Sequence, residues 1–278
     1  MMTGAASPLY WESHGPADGE TVVLSAGLGG SGNYWAPQLP ALTNRYRVLV
    51  YDHFGTGRSR GDVPEFYTVE AMAAELGELL EEQAAEPVHF IGHALGGLIG
   101  LELARRSPEL VASLLLINAW SEPNAHSRRC FSVRRKLLLH SGPEAYLEAQ
   151  PLFLFPPVWI AANSEWLEQE STHMLASFPS QANVLRRMAA LQAWQPAPQE
   201  LAEVHAETLV LATRDDALVP WTCSQKLAGR LPNSGIRLLP EGGHAVNVTE
   251  VERFNELMLD HLRKHRLPAE ALTTEEAL

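Results

Sequence analysis

Short apolar runs alternate with amphipathic stretches along most of this chain. Val22-Val23-Leu24 runs into a glycine-rich turn, Arg47-Val48-Leu49-Val50-Tyr51 ends at Asp52, and Val88-His89-Phe90-Ile91 ends at Gly92. Leu114-Leu115-Leu116-Ile117, Thr208-Leu209-Val210-Leu211 and Ile236-Arg237-Leu238-Leu239 repeat the pattern. Runs that are apolar at successive positions suit strands buried on both faces, as in a central parallel sheet. Between them the period changes to that of a helix. After Thr68, a plausible N-cap, come Val69, Met72, Leu76, Leu79 and Leu80 at helical spacing, and residues 95–106 follow Gly92 as a second helix. Near the end, Thr249 with Glu252 three residues on reads as a capping box, and Val251, Phe254, Leu257 and Met258 as the buried stripe behind it. Strands alternating with helices predict an α/β fold with a mostly parallel, doubly wound sheet.

One stretch breaks the alternation. Residues of about 120–200 are rich in Trp, Phe, Arg and Pro and carry no strand pattern. The strand pattern resumes at Thr208, so this stretch is expected to be a helical cap inserted into one α/β domain spanning residues 1–278. A cap of this kind belongs over the C-terminal edge of the sheet, where ligands bind in doubly wound folds. The alternative is a separate helical domain. The chain after about residue 266 is charged and expected to fray.

Composition narrows the function classes. The 278 residues, 46% of them apolar, can build a core that needs no disulfide or metal staple. Cys130 and Cys223 do not form a metal-type pair, and so few cysteines read as reduced and cytosolic. Residues 1–10 lack a basic segment and a long apolar run, and no window approaches the roughly 18 apolar residues of a membrane span. A cytoplasmic protein with no membrane partner is expected. The formal net charge of −12 argues against nucleic acid, whose phosphates want a basic face. Residues 126–140 are a local exception, with Arg128, Arg129, Arg134, Arg135 and Lys136. They read as a solvated face, or one of them faces a site and holds a small carboxylate. His261 and His265 have the i, i+4 spacing of a metal pair, but near a helix C-terminus a solvated, dipole-stabilised histidine is the simpler reading, and no metal or cofactor is expected.

The chemistry concentrates in Phe90-Ile91-Gly92-His93-Ala94-Leu95-Gly96-Gly97. A strand runs into a sharp turn and then a helix, which is the setting of the G-x-S-x-G nucleophile elbow. Gly92 and Gly96 let strand and helix pack closely, and Ala94 stands where the serine belongs. An acid candidate follows in Arg214-Asp215-Asp216-Ala217-Leu218-Val219-Pro220, and a histidine in Glu241-Gly242-Gly243-His244-Ala245-Val246-Asn247. The order of elbow, acid and histidine is that of the α/β-hydrolase superfamily, which the chain resembles over nearly its whole length. The resemblance implies that Asp216, four residues before the Val-Pro proline, is the acid rather than Asp215, and that it orients His244. It also implies an oxyanion hole from the backbone N–H of Leu95 and that of Leu28 in Ser25-Ala26-Gly27-Leu28-Gly29-Gly30-Ser31. The family's usual His-Gly pair is Ala26-Gly27 here, and its D-x-R-G-x-G-x-S signature appears as Asp52-His53-Phe54-Gly55-Thr56-Gly57-Arg58-Ser59, with Phe54 for the arginine. His93 is expected to pack rather than react, His53 to line the pocket or lie outside it, and Trp35 and Trp120 to be pocket walls or core.

Two cap stretches resemble the RutD family within that superfamily: Asn124-Ala125-His126-Ser127-Arg128-Arg129-Cys130-Phe131 and Glu148-Ala149-Gln150-Pro151-Leu152-Phe153-Leu154-Phe155-Pro156. The Gly-His-Ala-Leu-Gly elbow and the turn Gly-Gly-His-Ala-Val-Asn-Val-Thr resemble it as well. The resemblance implies a hydrolase in pyrimidine (uracil) catabolism and nitrogen utilisation, acting on a small molecule, carbamate or 3-aminoacrylate, whose breakdown also runs without the enzyme. An alanine at the elbow excludes an acyl-enzyme at that position. It leaves direct hydrolysis, with water in the space at Ala94, His244 as general acid or base, and the N–H groups of Leu28 and Leu95 polarising the substrate. Two other classes compete: a non-catalytic binding protein on a hydrolase fold, and an esterase or lactonase with another nucleophile, for which Ser31 lies near the site but on the wrong element.

Overall fold

The computed structural model describes residues 8–267. Seven strands form one sheet: β1 (Trp11–His14), β2 (Thr21–Ser25), β3 (Arg47–Tyr51), β4 (Val88–His93), β5 (Val111–Ile117), β6 (Glu207–Thr213) and β7 (Ser234–Leu239). Their order is β1-β3-β2-β4-β5-β6-β7, with β1 antiparallel to β3 and every other pair parallel. The register sets Leu24 beside Ile91, Ile91 beside Leu115 and Leu115 beside Leu209. Alternation along each strand divides the core between two faces. Val23, Leu49, Phe90, Leu114 and Leu116 pack on one side, and Val22, Leu24, Val48, Ile91 and Leu115 on the other.

Helices cover both faces. The first face carries α1 (Val69–Gln83) and α2 (Leu95–Arg106), whose Leu76, Leu80, Leu98 and Leu101 are buried there. The Thr68 side chain accepts from the Ala71 N–H at 3.2 Å, the N-cap expected from its position. After β5 the chain leaves the sheet for the helical insertion: α3 (Ala125–Ala149), α4 (Ser164–Ala176) and α5 (Gln181–Ala193), with two short helical segments, Pro151–Leu154 and Pro157–Ala162, between the first two. Helix α3 is broken at Gly142, with φ 85°, followed by Pro143, which can neither donate nor continue the preceding helix unkinked. The insertion is tied down at several points. Asn183 donates to the carbonyls of Gly55 and Gly61 and accepts from the Val63 N–H, and the Ala245 N–H donates to the Leu154 carbonyl. The chain then returns to β6, α6 (Trp221–Ala228), β7 and α7 (Val251–Lys264).

Two expectations are corrected. Thr249 does not cap α7: it ends a short turn, Val246–Thr249, and its hydroxyl donates to the Gly242 carbonyl at 2.6 Å, while Glu250 precedes the helix without a side-chain cap. The hydroxyl has a nearer acceptor in the turn that carries His244, so the capping-box pattern here closes that turn. His261 is not solvated either. It follows Met258 by three positions on the buried stripe of α7 and is itself buried. The predicted fraying begins at the edge of, and mostly outside, the described residues. Among the described residues no helix is long and apolar enough to cross a membrane, and no three metal-binding side chains cluster.

Burial pushes the imidazoles of His53 and His261 down to about 3 and that of His89 to about 4, from an ordinary value of 6.5. The unfolded chain therefore takes up protons near pH 6.5 that the folded chain refuses until near pH 3–4. Stability is whole above that window and falls as pH drops through it, by up to about 1.4 kcal/mol per group per pH unit. Urea unfolding at pH 7.5, 6 and 5 is expected to show the midpoint falling below pH 6.5. A midpoint unchanged down to pH 5 would contradict the burial of these neutral rings.

Candidate active site

The site begins where β4 meets α2. A Cβ on Gly96 would run into the Ser25 carbonyl, and one on Gly92 into the backbone of Gly96, so only glycines allow the strand and helix to approach this closely. The residue between them must turn sharply. Ala94 has φ 49° and ψ −111°, a conformation that costs a non-glycine residue about 1–3 kcal/mol. It is held by its N–H to the Ile117 carbonyl at 2.8 Å and by its own carbonyl, which accepts from Gly97 and Leu98. The elbow is thus fully formed around a methyl group.

The strand ends bring the other candidates to the same place. His244 Nδ1 donates to Asp216 Oδ2 at 2.7 Å, and both residues are buried. The other carboxylate oxygen, Oδ1, accepts from the N–H groups of Leu218 and Val219 at 2.7 and 2.8 Å. With Nδ1 committed to the carboxylate, Nε2 is left for proton transfer. Asp215 does a different job: it accepts from the Gly242 and Gly243 N–H groups and braces the turn carrying His244. Asn118, the other non-glycine residue with positive φ among the described residues, donates to the His244 carbonyl at 2.7 Å. His93 Nε2 donates to that carbonyl at 2.9 Å, its ring stacks on Tyr34, and burial drives its pKa well down, so it is a neutral brace. Its centroid lies 4.7 Å from that of His244, and it lines the cavity. Among the described residues no serine, threonine or cysteine side chain hydrogen-bonds to His244. Ser31 lines the cavity but accepts from the Asn33 N–H as the cap of a short turn.

A cavity of about 460 Å³ lies between the sheet edge and the helical insertion. Ala94, His244, Leu28 and Leu95 all line it. The Gly30 N–H donates to the Gly27 carbonyl, closing a tight turn around Leu28, and the N–H groups of Leu28 and Leu95 have no acceptor among the described residues. Leu95 opens α2, where the helix dipole also favours negative charge. These are the features of a site that can polarise a carboxyl or developing oxyanion.

The insertion supplies the remaining wall. Trp120 lines the cavity and Trp35 lies in the core below the other face of the sheet. His53 is buried outside the cavity lining. Of the basic cluster, Arg128, Arg129, Arg135 and Lys136 are exposed, while Arg134 is buried, lines the cavity, and donates to the Tyr146 hydroxyl and Gln150. Sequence reasoning did not single out Arg187. Arg187 of α5 is fully buried and also lines the cavity. The signal was present: Val184, Arg187, Met188 and Leu191 follow the i, i+3, i+4, i+7 spacing of a buried stripe, with a charge at one of its positions.

The model of the alpha/beta hydrolase fold family matches residues 20–251. A protein of Stutzerimonas stutzeri (strain A1501) named "Putative carbamate hydrolase RutD" is 53% identical over 91% of this chain and 96% of its own length. A protein of the same name from Pseudomonas syringae pv. syringae (strain B728a) is 56% identical over 87% and 93%. This chain belongs to the RutD family of α/β hydrolases. The enol-lactonase from Burkholderia xenovorans LB400 shares the fold, with a TM-score of 0.83 at 22% identity over 92% of this chain and 96% of that one.

The elbow makes a direct test of geometry available. Ala94→Ser adds a hydroxyl without changing the backbone demand. It is expected to give a burst of product with an activated ester such as p-nitrophenyl acetate. A variant that stays folded and shows no burst would mean that residue 94 and His244 do not face each other.

Proposed function

We propose that this protein hydrolyses a small nitrogen-bearing acid of pyrimidine breakdown by direct attack of water, with no covalent intermediate. The RutD relatives are named for carbamate, and two reactions fit the reading. Carbamate and water give ammonia and bicarbonate, which is in exchange with carbon dioxide. Alternatively, 3-aminoacrylate and water give malonic semialdehyde and ammonia. The observation that carries the proposal is the His244–Asp216 pair, joined at 2.7 Å, at a cavity where the nucleophile position holds Ala94.

The roles follow from that arrangement. Asp216 keeps His244 in one tautomer and stabilises its imidazolium. His244 passes a proton through Nε2. With carbamate it protonates the departing nitrogen. With 3-aminoacrylate it delivers a proton to the enamine carbon, and water attacks the resulting imine. The N–H groups of Leu28 and Leu95 hold the carboxyl or developing oxyanion. Water occupies the space a serine hydroxyl would take. An oxyanion hole with substrate binding is worth roughly 10³–10⁴-fold over water once a triad is lost, and a positioned acid–base group about 10²–10⁴-fold. Such factors are small for a stable amide and sufficient for a substrate that already decomposes unaided. A non-catalytic binder would have no use for a proton-transfer pair held by this many hydrogen bonds. An esterase would need a nucleophile bonded to His244.

The test compares loss of carbamate and of 3-aminoacrylate with and without protein. His244→Ala is expected to lower the rate by about 10²-fold or more. Ala94→Gly, which suits the backbone and removes no reacting group, is expected to leave it unchanged. An unaltered rate in His244→Ala would sink the scheme.

A further inference from the structure

Arg187 is a buried cation without an anion. Its side chain is fully buried, its Nη1 meets the Thr56 hydroxyl, and its Nε and Nη2 donate to nothing among the described residues. Burial brings its pKa down to about 10, and the groups beside it that oppose that shift are two phenols, Tyr67 and Tyr146, with no carboxylate among them. Glu170 lines the same cavity half-buried and pairs with neither Arg187 nor Arg134. Proteins rarely bury a guanidinium unless a carboxylate or phosphate meets it, because the lost hydration is otherwise uncompensated. The missing partner belongs in the cavity that the side chain lines.

The surroundings agree. Arg134 lines the same cavity, lies over the ring of Tyr146, and keeps its own Nε unpartnered. Two guanidinium groups therefore flank one cavity in a chain whose formal charge is −12. Arg187 also has a definite relation to the elbow. A Cβ on Gly30 would stand 3.0 Å from Arg187 Nη1, and one on Gly27 would stand 3.0 Å from Nδ1 of His93, the ring that leans on His244. The turn from Gly27 to Gly30, with Leu28 within it, thus carries the arginine at one end and the histidines at the other.

We propose that Arg187, backed by Arg134, is the subsite for the carboxylate of an anionic substrate. It holds that group by charge-assisted hydrogen bonds; in 3-aminoacrylate this turns the carbon to be attacked toward Ala94, and in carbamate it holds one carboxyl oxygen while the Leu28 and Leu95 N–H groups take the other. The second half of this statement rests on the hydrolytic reading above; the binding half does not. The subsite selects small carboxylates over neutral esters and amides of the same shape, since a neutral ligand leaves the guanidinium unpaired. Carbamate and 3-aminoacrylate share the required chemistry.

Calorimetric titration tests this without turnover. Acetate and crotonate serve as unreactive stand-ins for carbamate and 3-aminoacrylate, and acetamide and crotonamide as their neutral counterparts. Wild-type protein is expected to bind at least one carboxylate about tenfold or more tightly than its amide. A preference for acetate assigns the subsite to the one-carbon acid, and a preference for crotonate to the three-carbon acid. Arg187→Met is expected to lose that discrimination, and Arg187→Lys to keep part of it. Arg187→Met should also melt higher than wild type in the absence of anion, because an uncompensated buried charge has gone, and should no longer be stabilised by added carboxylate. Equal binding of acid and amide by the wild type overturns the proposal and needs no variant. So does the absence of carboxylate binding up to about 50 mM, or unchanged carboxylate binding in Arg187→Met. Carboxylate binding without any acceleration of hydrolysis would leave the subsite standing and remove the hydrolytic reading. Hydrolysis indifferent to Arg187→Met would do the reverse.

Discussion

The structure turns on how closely the start of α2 approaches β4 and its neighbour β2. Gly92 and Gly96 bring backbone against backbone, and the space between them accepts no Cβ. That approach forces the intervening residue into a left-handed corner, at a cost of about 1–3 kcal/mol. Elsewhere the strain is understood as a way to present a nucleophile. Here Ala94 bears it with nothing to present. The corner still does two things: it starts α2 so that Leu95, whose N–H has no acceptor among the described residues, lines the cavity, and it leaves a methyl-sized floor. Both are properties of the backbone, and both survive loss of the hydroxyl.

Around that corner, polar groups divide into those spent on holding and those left for use. Asp216 is saturated by two backbone N–H groups and His244, and Asp215, Asn118 and His93 brace the turn that carries His244. The His244 Nε2, the N–H groups of Leu28 and Leu95, and two of the three nitrogens of the Arg187 guanidinium remain uncommitted to the protein. They bound a single cavity, and each is suited to proton transfer or to negative charge. Burying unpaired donors and a cation opposes folding, so their retention together argues for a ligand that meets them. The magnitudes favour an unstable one, because acid–base help and an oxyanion site are modest without covalent catalysis.

Much of this was legible in the chain. The central strands could be read because burial on both faces leaves continuous apolar runs, whereas β1, an edge strand of four residues with Glu12 and Ser13 in it, leaves none. The elbow and the dyad could be read because each follows a strand end, and strand ends in a parallel sheet share one edge. Thr249 shows the limit of such reading. Its spacing to Glu252 fits a helix cap, yet the hydroxyl bonds to Gly242, seven residues back, which no local pattern announces. His261 and Arg187 were missed for a related reason: a polar residue on an apolar stripe is ambiguous until its neighbours are known.

Periodicity and glycine placement are local properties, and they pointed to a doubly wound α/β fold with a strand-turn-helix elbow around Ala94, while the superfamily resemblance singled out Asp216 and His244. The choice of Asp216 over Asp215 rested on family spacing, and the hydrogen bonds supply its physical basis. The electrostatic character of the cavity emerged only from the folded chain. A basic cluster of five side chains contributes one to the cavity, Arg134, while Arg187 arrives from a helix some fifty residues further along the chain. Charge acts through space and solvent exposure, and neither is written along the backbone. An overall charge of −12 therefore coexists with a cavity lined by two buried arginines.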